Sequence, residues 1–214
     1  VALLNTGMDP GVTNTFAAGV PDGQLISFLV VDASGDIWVG KIDNGHSVNQ
    51  FNPNDAVVRF SPTGTQLQVV KGPTRYQTAI GFDSSSNIYI GAIPDGGALG
   101  DNRIYRFGQS GTFETTFGSL NDTAMDFAVA AGDRIFVATN NVLTLQEYST
   151  AGALINSRQV NNFLGRYIDL DSSETTLWCY QDFNGPGVSV FGAYDLALIP
   201  QASFDLNPIG DPGL

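Results

Sequence analysis

Cysteine and histidine are almost absent from this sequence, with one of each in 214 residues, Cys179 and His46. A metal centre built from thiolates and imidazoles needs about four such ligands, so that class of site is excluded. A Ser-His-Asp triad or a histidine general base has a single candidate, His46, in the longest polar loop, where a solvated side chain is the preferred reading. Cys179 lies in the apolar run TLWCYQ and reads as a small core hydrophobe, not a nucleophile or half of a disulfide. No stretch approaches the roughly 18 apolar residues of a membrane-spanning helix, so membrane insertion is not expected. Cations are scarce as well. Nine Lys and Arg stand against 21 Asp and Glu, a net charge of -12, and the resulting field repels phosphate backbones, which argues against nucleic acid as a partner. Glutamate is rare, with only Glu114, Glu147 and Glu174 beside 18 aspartates. That skew is expected where carboxylates serve turns and not helix faces.

What is present is a hydrophobic fraction of 43% and a length of 214 residues, enough for one domain with a sizeable core. The start at Val1, without a basic or signal-like leader, suits a processed or excised chain that belongs to a larger chain or assembly.

The chain repeats internally. VDASGDIWVG (31–40), FDSSSNIYIG (82–91), VAAGDRIFVA (129–138) and LDSSETTLWC (170–179, with one extra residue) align as strand, small-residue turn, strand. A second set follows each: VVRFSPTGT (57–65), IYRFGQSGT (104–112), LQEYSTAGA (145–153) and the degenerate VFGAYDLAL (190–198). In the first three, Phe60, Phe107 and Tyr148 precede Gly64, Gly111 and Gly152 by four positions, where a residue able to take positive φ would close a turn. Each unit is therefore a four-stranded meander, and a period of 40 to 50 residues points to a propeller. The spacing from Phe60 to Ile88, Phe107 to Ile135 and Tyr148 to Leu177 is 28, 28 and 29 residues. From Ile37 to Phe60, Ile88 to Phe107, Ile135 to Tyr148 and Leu177 to Tyr194 it is 23, 19, 13 and 17. All the variation falls between the second and third strands.

The pattern resembles the NHL family of β-propeller repeats, most closely over residues 76–120, where GFDSSSNIYIG, NRIYRFGQSG and TFETTFG follow the family's order. Ala130 departs from it by replacing the turn Asp, and the fourth unit lacks the turn Gly. The fold class expected is all-β: a β-propeller of four-stranded antiparallel blades, about four whole blades plus a partial fifth. Residues 1–24 are read as outer strands of the partial blade and 25–214 as the blades of the same domain. ASFDLNP (202–208) is a candidate inner strand to close the fifth blade. The alternative is a fragment of a larger propeller.

In a meander, successive connections alternate between the two ends of the strands. The tight turns share one face, while the variable connections 41–56, 92–102, 139–141 and 181–187 share the other, together with the links between blades. Loops on a rigid scaffold are the usual home of binding. The residues singled out for partner contact there are Asp43, His46, Phe51, Asp95, Asp101, Asp182 and Phe183. The phenylalanines are chosen because an apolar ring in a polar loop costs solvation unless it packs or binds. Asp43, Asn44, Asn54, Asp55, Asp95, Asp101, Asn102 and Asp182 offer hard oxygens, so calcium is the one cofactor left open, although solvated turn acids are the preferred reading. The Gly-rich GGALG (96–100) lacks a following Lys and a helix, which makes it a loop and not a phosphate cradle. Trp38, Tyr89, Phe136 and Trp178 recur on the second strand, where blades would pack. No catalytic set emerges. The first reading is a non-enzymatic recognition or assembly module, extracellular or on a cell or virion surface, that binds protein or glycan through the variable loops. The alternative is a calcium-dependent hydrolase or lyase similar to propeller lactonases.

Overall fold

The computed structural model describes residues 24–43, 56–94, 102–120, 124–139, 144–159, 164–182 and 190–205. They form four antiparallel sheets of four strands, each in simple sequential order. The first sheet holds β1 (Gln24–Val31), β2 (Ile37–Asp43), β3 (Ala56–Phe60) and β4 (Gln66–Val70). The second holds β5 (Thr74–Phe82), β6 (Ile88–Pro94), β7 (Asn102–Phe107) and β8 (Phe113–Leu120). The third holds β9 (Ala124–Ala130), β10 (Arg134–Thr139), β11 (Thr144–Tyr148) and β12 (Leu154–Gln159), and the fourth holds β13 (Leu164–Leu170), β14 (Thr176–Asp182), β15 (Val190–Asp195) and β16 (Pro200–Asp205).

The turns explain why these segments become hairpins. At Asp32, Ser61, Asp83, Gly108, Ser149 and Asp195, the first residue's N–H donates to the carbonyl four residues on, and the fourth residue's N–H donates back to the first carbonyl. Asp171 does the same with one extra residue, its N–H reaching Thr176. Such a loop needs positive φ at its fourth position, and Gly64, Gly111 and Gly152 take φ of 85°, 77° and 85°. The acids act through both carboxylate oxygens. Asp83 accepts the N–H groups of Ser85 and Asn87 on one oxygen, and the Asn87 amide and Tyr89 hydroxyl on the other. Burial opposes ionisation of Asp83, but the Asn87, Tyr89 and Ser85 hydrogen bonds outweigh it and hold its pKa below the ordinary value. Asp32 repeats the motif with the indole N–H of Trp38.

The two departures from the repeat are accommodated by tertiary contacts. In the fourth unit Leu198 occupies the glycine position at φ 60° and is buried among Leu177, Cys179 and Tyr194, so burial offsets backbone strain. The turn therefore closes, and residues 200–205 are the outer strand of the fourth sheet. This corrects the expectation that 202–208 forms an inner strand of a fifth blade, while residues 1–23 of the partial blade lie outside the described residues. Where Ala130 replaces the turn Asp, the chain uses a tighter turn with Gly132 and Asp133 both at positive φ, and the Ala131 N–H is met by the Glu174 carboxylate of the next sheet at 2.5 Å. Ser86 holds the fourth-position conformation with φ 61° in an exposed turn. Ser86→Gly is expected to raise unfolding free energy by about 1 kcal/mol, read as a rise in urea midpoint at unchanged m-value. A lower midpoint would refute the strain account.

Sheets pack in chain order through their first strands, β1 on β5, β5 on β9 and β9 on β13. Each sheet has a leading face toward the preceding sheet and a trailing face toward the next. Trp38, Val57 and Val70 on the trailing face of the first sheet meet Ile80, Ile88, Ile90 and Phe107 on the leading face of the second. Tyr89 and Ile104 meet Phe127, Ile135 and Val137 in the same way. Phe136, Ala138 and Leu145 then meet Ile168, Leu177 and Cys179. Trp38, Tyr89 and Phe136 are thus inter-sheet core, and Cys179 is fully buried, as a small hydrophobe. Trp178 is half-buried on the trailing face of the last sheet.

Candidate functional site

Strands β2, β6, β10 and β14 end at Asp43, Pro94, Thr139 and Asp182, and β3, β7, β11 and β15 begin at Ala56, Asn102, Thr144 and Val190. The four variable connections therefore leave and return on one face, opposite the Asp and Ser turns. The register places Asp43 across from Gln24 and Asp182 across from Leu164, so both positions flank the first residue of an inner strand. That is as far as the described residues carry the site. The side chains of Asp43 and Asp182, and all of His46, Phe51, Asp95, Asp101 and Phe183, lie outside them.

Sequence reasoning missed a set of buried polar groups at this end of the molecule. Thr74, Gln77, Asn102 and Thr139 are all buried, near the ends of β5, β7 and β10. The Gln77 amide donates to the Thr74 hydroxyl at 3.1 Å, and the Thr144 N–H donates to the Thr139 hydroxyl at 3.3 Å. Asn102, one of the oxygens considered for calcium, is fully buried. Among the described residues no group of three or more His, Cys, Asp or Glu is placed to hold a metal ion. The described part of this face also carries cations. Burial, and then the neighbouring Lys71 charge, lowers the Lys41 pKa.

The three glutamates are structural. Glu114 on β8 pairs with Arg106 at 3.1 Å, and Glu174 caps the turn of the preceding sheet. Glu147 is in β11, where it is buried and accepts from the Arg134 guanidinium at 2.6 Å. Arg134 also donates to the Leu196 carbonyl of the fourth sheet at 2.5 Å and lies over the Phe136 ring. Among the described residues Asp126, on the inner strand β9, is the most perturbed acid. It accepts the N–H of Phe127 at 2.9 Å and of Ile168 on the next inner strand at 3.1 Å. Burial, which its two backbone hydrogen bonds only partly offset, pushes its pKa up to about 7, with the Asp169 charge adding to the rise. Its position matches Phe28, Ala79 and Tyr167 in the other repeats, so it is an acid where the repeat otherwise places an apolar residue. Aligning β9 on its neighbours by strand partner would have flagged it.

No helix among the described residues is long and apolar enough to cross a membrane. No protein-family model matches the chain, and no curated protein does. Solved structures do. Virginiamycin B lyase from Staphylococcus aureus superimposes with a TM-score of 0.62 at 13% identity, over 86% of this chain and 56% of that one. Hydrazine synthase from Kuenenia stuttgartiensis superimposes at 0.69 and 11% identity, over 92% of this chain and 53% of that one. The chain thus spans about half the length of these structures. At such identities the likeness shows the fold alone, and with the four sheets it makes this chain a run of four-stranded antiparallel blades of the β-propeller fold.

Proposed function

We propose that the chain is a recognition or assembly module that binds a protein or glycan through its loop-bearing face, on the outside of a cell or virion. The observation that supports this reading is the segregation of the repeat. Hydrogen-bonded tight turns occupy one face, and the connections that vary most in length leave from the other. A rigid scaffold with variation on one side is the arrangement binding proteins use. Asp43, His46, Phe51, Asp95, Asp101, Asp182 and Phe183 are proposed as the contact residues, with the two phenylalanines as apolar anchors. The units themselves are proposed to be divergent NHL-type repeats.

The test is a glycan array and a surface-display ligand screen, run on the wild type and on a variant with Phe51, Phe183 and His46 all changed to Ala. The expected result is a ligand whose binding falls at least about tenfold in the variant at unchanged melting temperature. Equal binding by both proteins would remove the loop-bearing face from the reading. The calcium-dependent hydrolase or lyase is kept as a second reading because one of the superimposed structures is named a lyase. A rise of several degrees in melting temperature with calcium, reversed by EDTA, would favour it.

A further inference from the structure

The seam between the third and fourth sheets is fastened differently along its length. At the turn end polar contacts cross it: Arg134 donates to the Leu196 carbonyl, the Ala131 N–H donates to Glu174, and the Asn156 amide donates to the Ala197 carbonyl. Farther toward the loop-bearing face the inner strands are tied by Asp126. One of its carboxylate oxygens accepts the N–H of the adjacent Phe127 at 2.9 Å, and the other accepts the N–H of Ile168 on β13 at 3.1 Å. Around it the seam is apolar, with Ala128, Ala138 and Leu145 packed on Ile168, Leu177 and Cys179. In the first and second seams the matching position holds Phe28 and Ala79, so the third is the one that places an acid there. An ionised carboxylate taken from water into such surroundings is costly. The elements packed on β9 are β5, β6, β10 and β13. From β13, Asp169 adds a like charge that opposes ionisation further. From β10, Arg134 is held at the turn end by Glu147 and Leu196, and from β6 the Tyr89 hydroxyl donates to Asp83 of its own sheet. The side chains of Arg75 and Tyr76 on β5 and of Arg166 on β13 lie outside the described residues.

We propose that this seam is a proton-controlled hinge: with Asp126 protonated the inner strands β9 and β13 stay closed, and with Asp126 ionised they part about the fastened turn end. Opening gives the carboxylate water and separates Thr139 from Asp182, the strand ends from which two of the variable connections leave. The direction follows from linkage. Burial raises the Asp126 pKa in the closed form, so the closed form binds the extra proton. Opening therefore grows as pH rises from about 4 to about 7 and levels off above that.

Cys179 reports on the seam directly. It is the chain's one cysteine, is fully buried in this interface and lies across from Ile168. The rate at which 4,4′-dithiodipyridine labels the full chain, divided at each pH by the rate for the urea-unfolded chain, measures the fraction open. That fraction is expected to rise at least about tenfold between about pH 5 and about pH 7.5. At the upper end it is expected to exceed the globally unfolded fraction obtained from urea melts at the same pH, because the hinge opens without unfolding the other sheets. In Asp126→Asn it is expected to stay within about twofold across the same range. An open fraction in the wild type that only equals the globally unfolded one overturns the proposal and leaves Asp126 acting on overall stability alone. A rise with pH that persists in Asp126→Asn overturns it by assigning the titration to another group.

Discussion

The unfolding free energy of the chain is expected to fall as pH rises from about 4 to about 7, by as much as about 4 kcal/mol, and Asp126 is the cause. Its folded pKa is raised to about 7 by burial between β9 and β13, whereas in the unfolded chain it titrates near the ordinary value of 3.8. Between those values the folded state binds the extra proton. Stability from this group is therefore fully present below the unfolded pKa and is lost as pH rises through the folded one. Asp83 acts in the opposite direction and a different window. Its lowered pKa supplies stability above about 4 that is lost only as pH falls further. Urea melts followed by tryptophan fluorescence at half-unit pH steps give the curve. Asp126→Asn should flatten it, at the cost of one of the two accepted N–H bonds. His46 is the chain's one histidine, so His46→Asn is the control. Identical slopes in wild type and Asp126→Asn would rule Asp126 out.

Arg134→Ala is expected to cost about 3 kcal/mol or more, the largest loss for any single ion-pair residue in the described structure. The Glu147 side chain is 2% exposed, and removing its partner leaves a buried carboxylate without a counter-charge. The same substitution strips the Leu196 carbonyl of a donor and so loosens the third sheet from the fourth. Arg106→Ala provides the contrast. Its pair with Glu114 has side chains 26% and 43% exposed, and solvent screening limits such pairs to about 1 kcal/mol or less. Replacing both members of the buried pair, as Arg134→Met with Glu147→Leu, is expected to recover most of the loss, because no charge is then stranded. Denaturant midpoints of the four proteins decide it. Equal losses for Arg134→Ala and Arg106→Ala would mean that water reaches Glu147.

Much of the fold was legible because its signals are local. Ile37, Ile88, Ile135 and Leu177, picked as anchors from spacing, all lie at or beside the start of a second strand. The turn glycines took the positive φ expected of them. The fourth repeat escaped the same reasoning for a physical reason. A glycine is recognisable as a turn residue, but Leu198 in its place looks like one more core residue, and only its packing against Leu177 and Tyr194 accounts for a strained backbone there. The last strand was misassigned as a result. The loop-bearing face was legible as the strand ends from which variable connections leave, while its named contact residues rest on sequence reasoning.

By itself, then, the sequence determined the rhythm of strand and turn, the four sheets and the face that bears the loops. Alternation, Asx-type turns and positive-φ positions act over four or five residues. Only the tertiary structure decided what each acid does and which faces are covered. Asp126, Glu147 and Glu174 take their roles from Ile168, from Arg134 with its reach to Leu196, and from Ala131. Ile80, Phe127 and Ile168 are buried because a neighbouring sheet packs against them. Burial depends on partners dozens of residues away, and no local pattern carries that information.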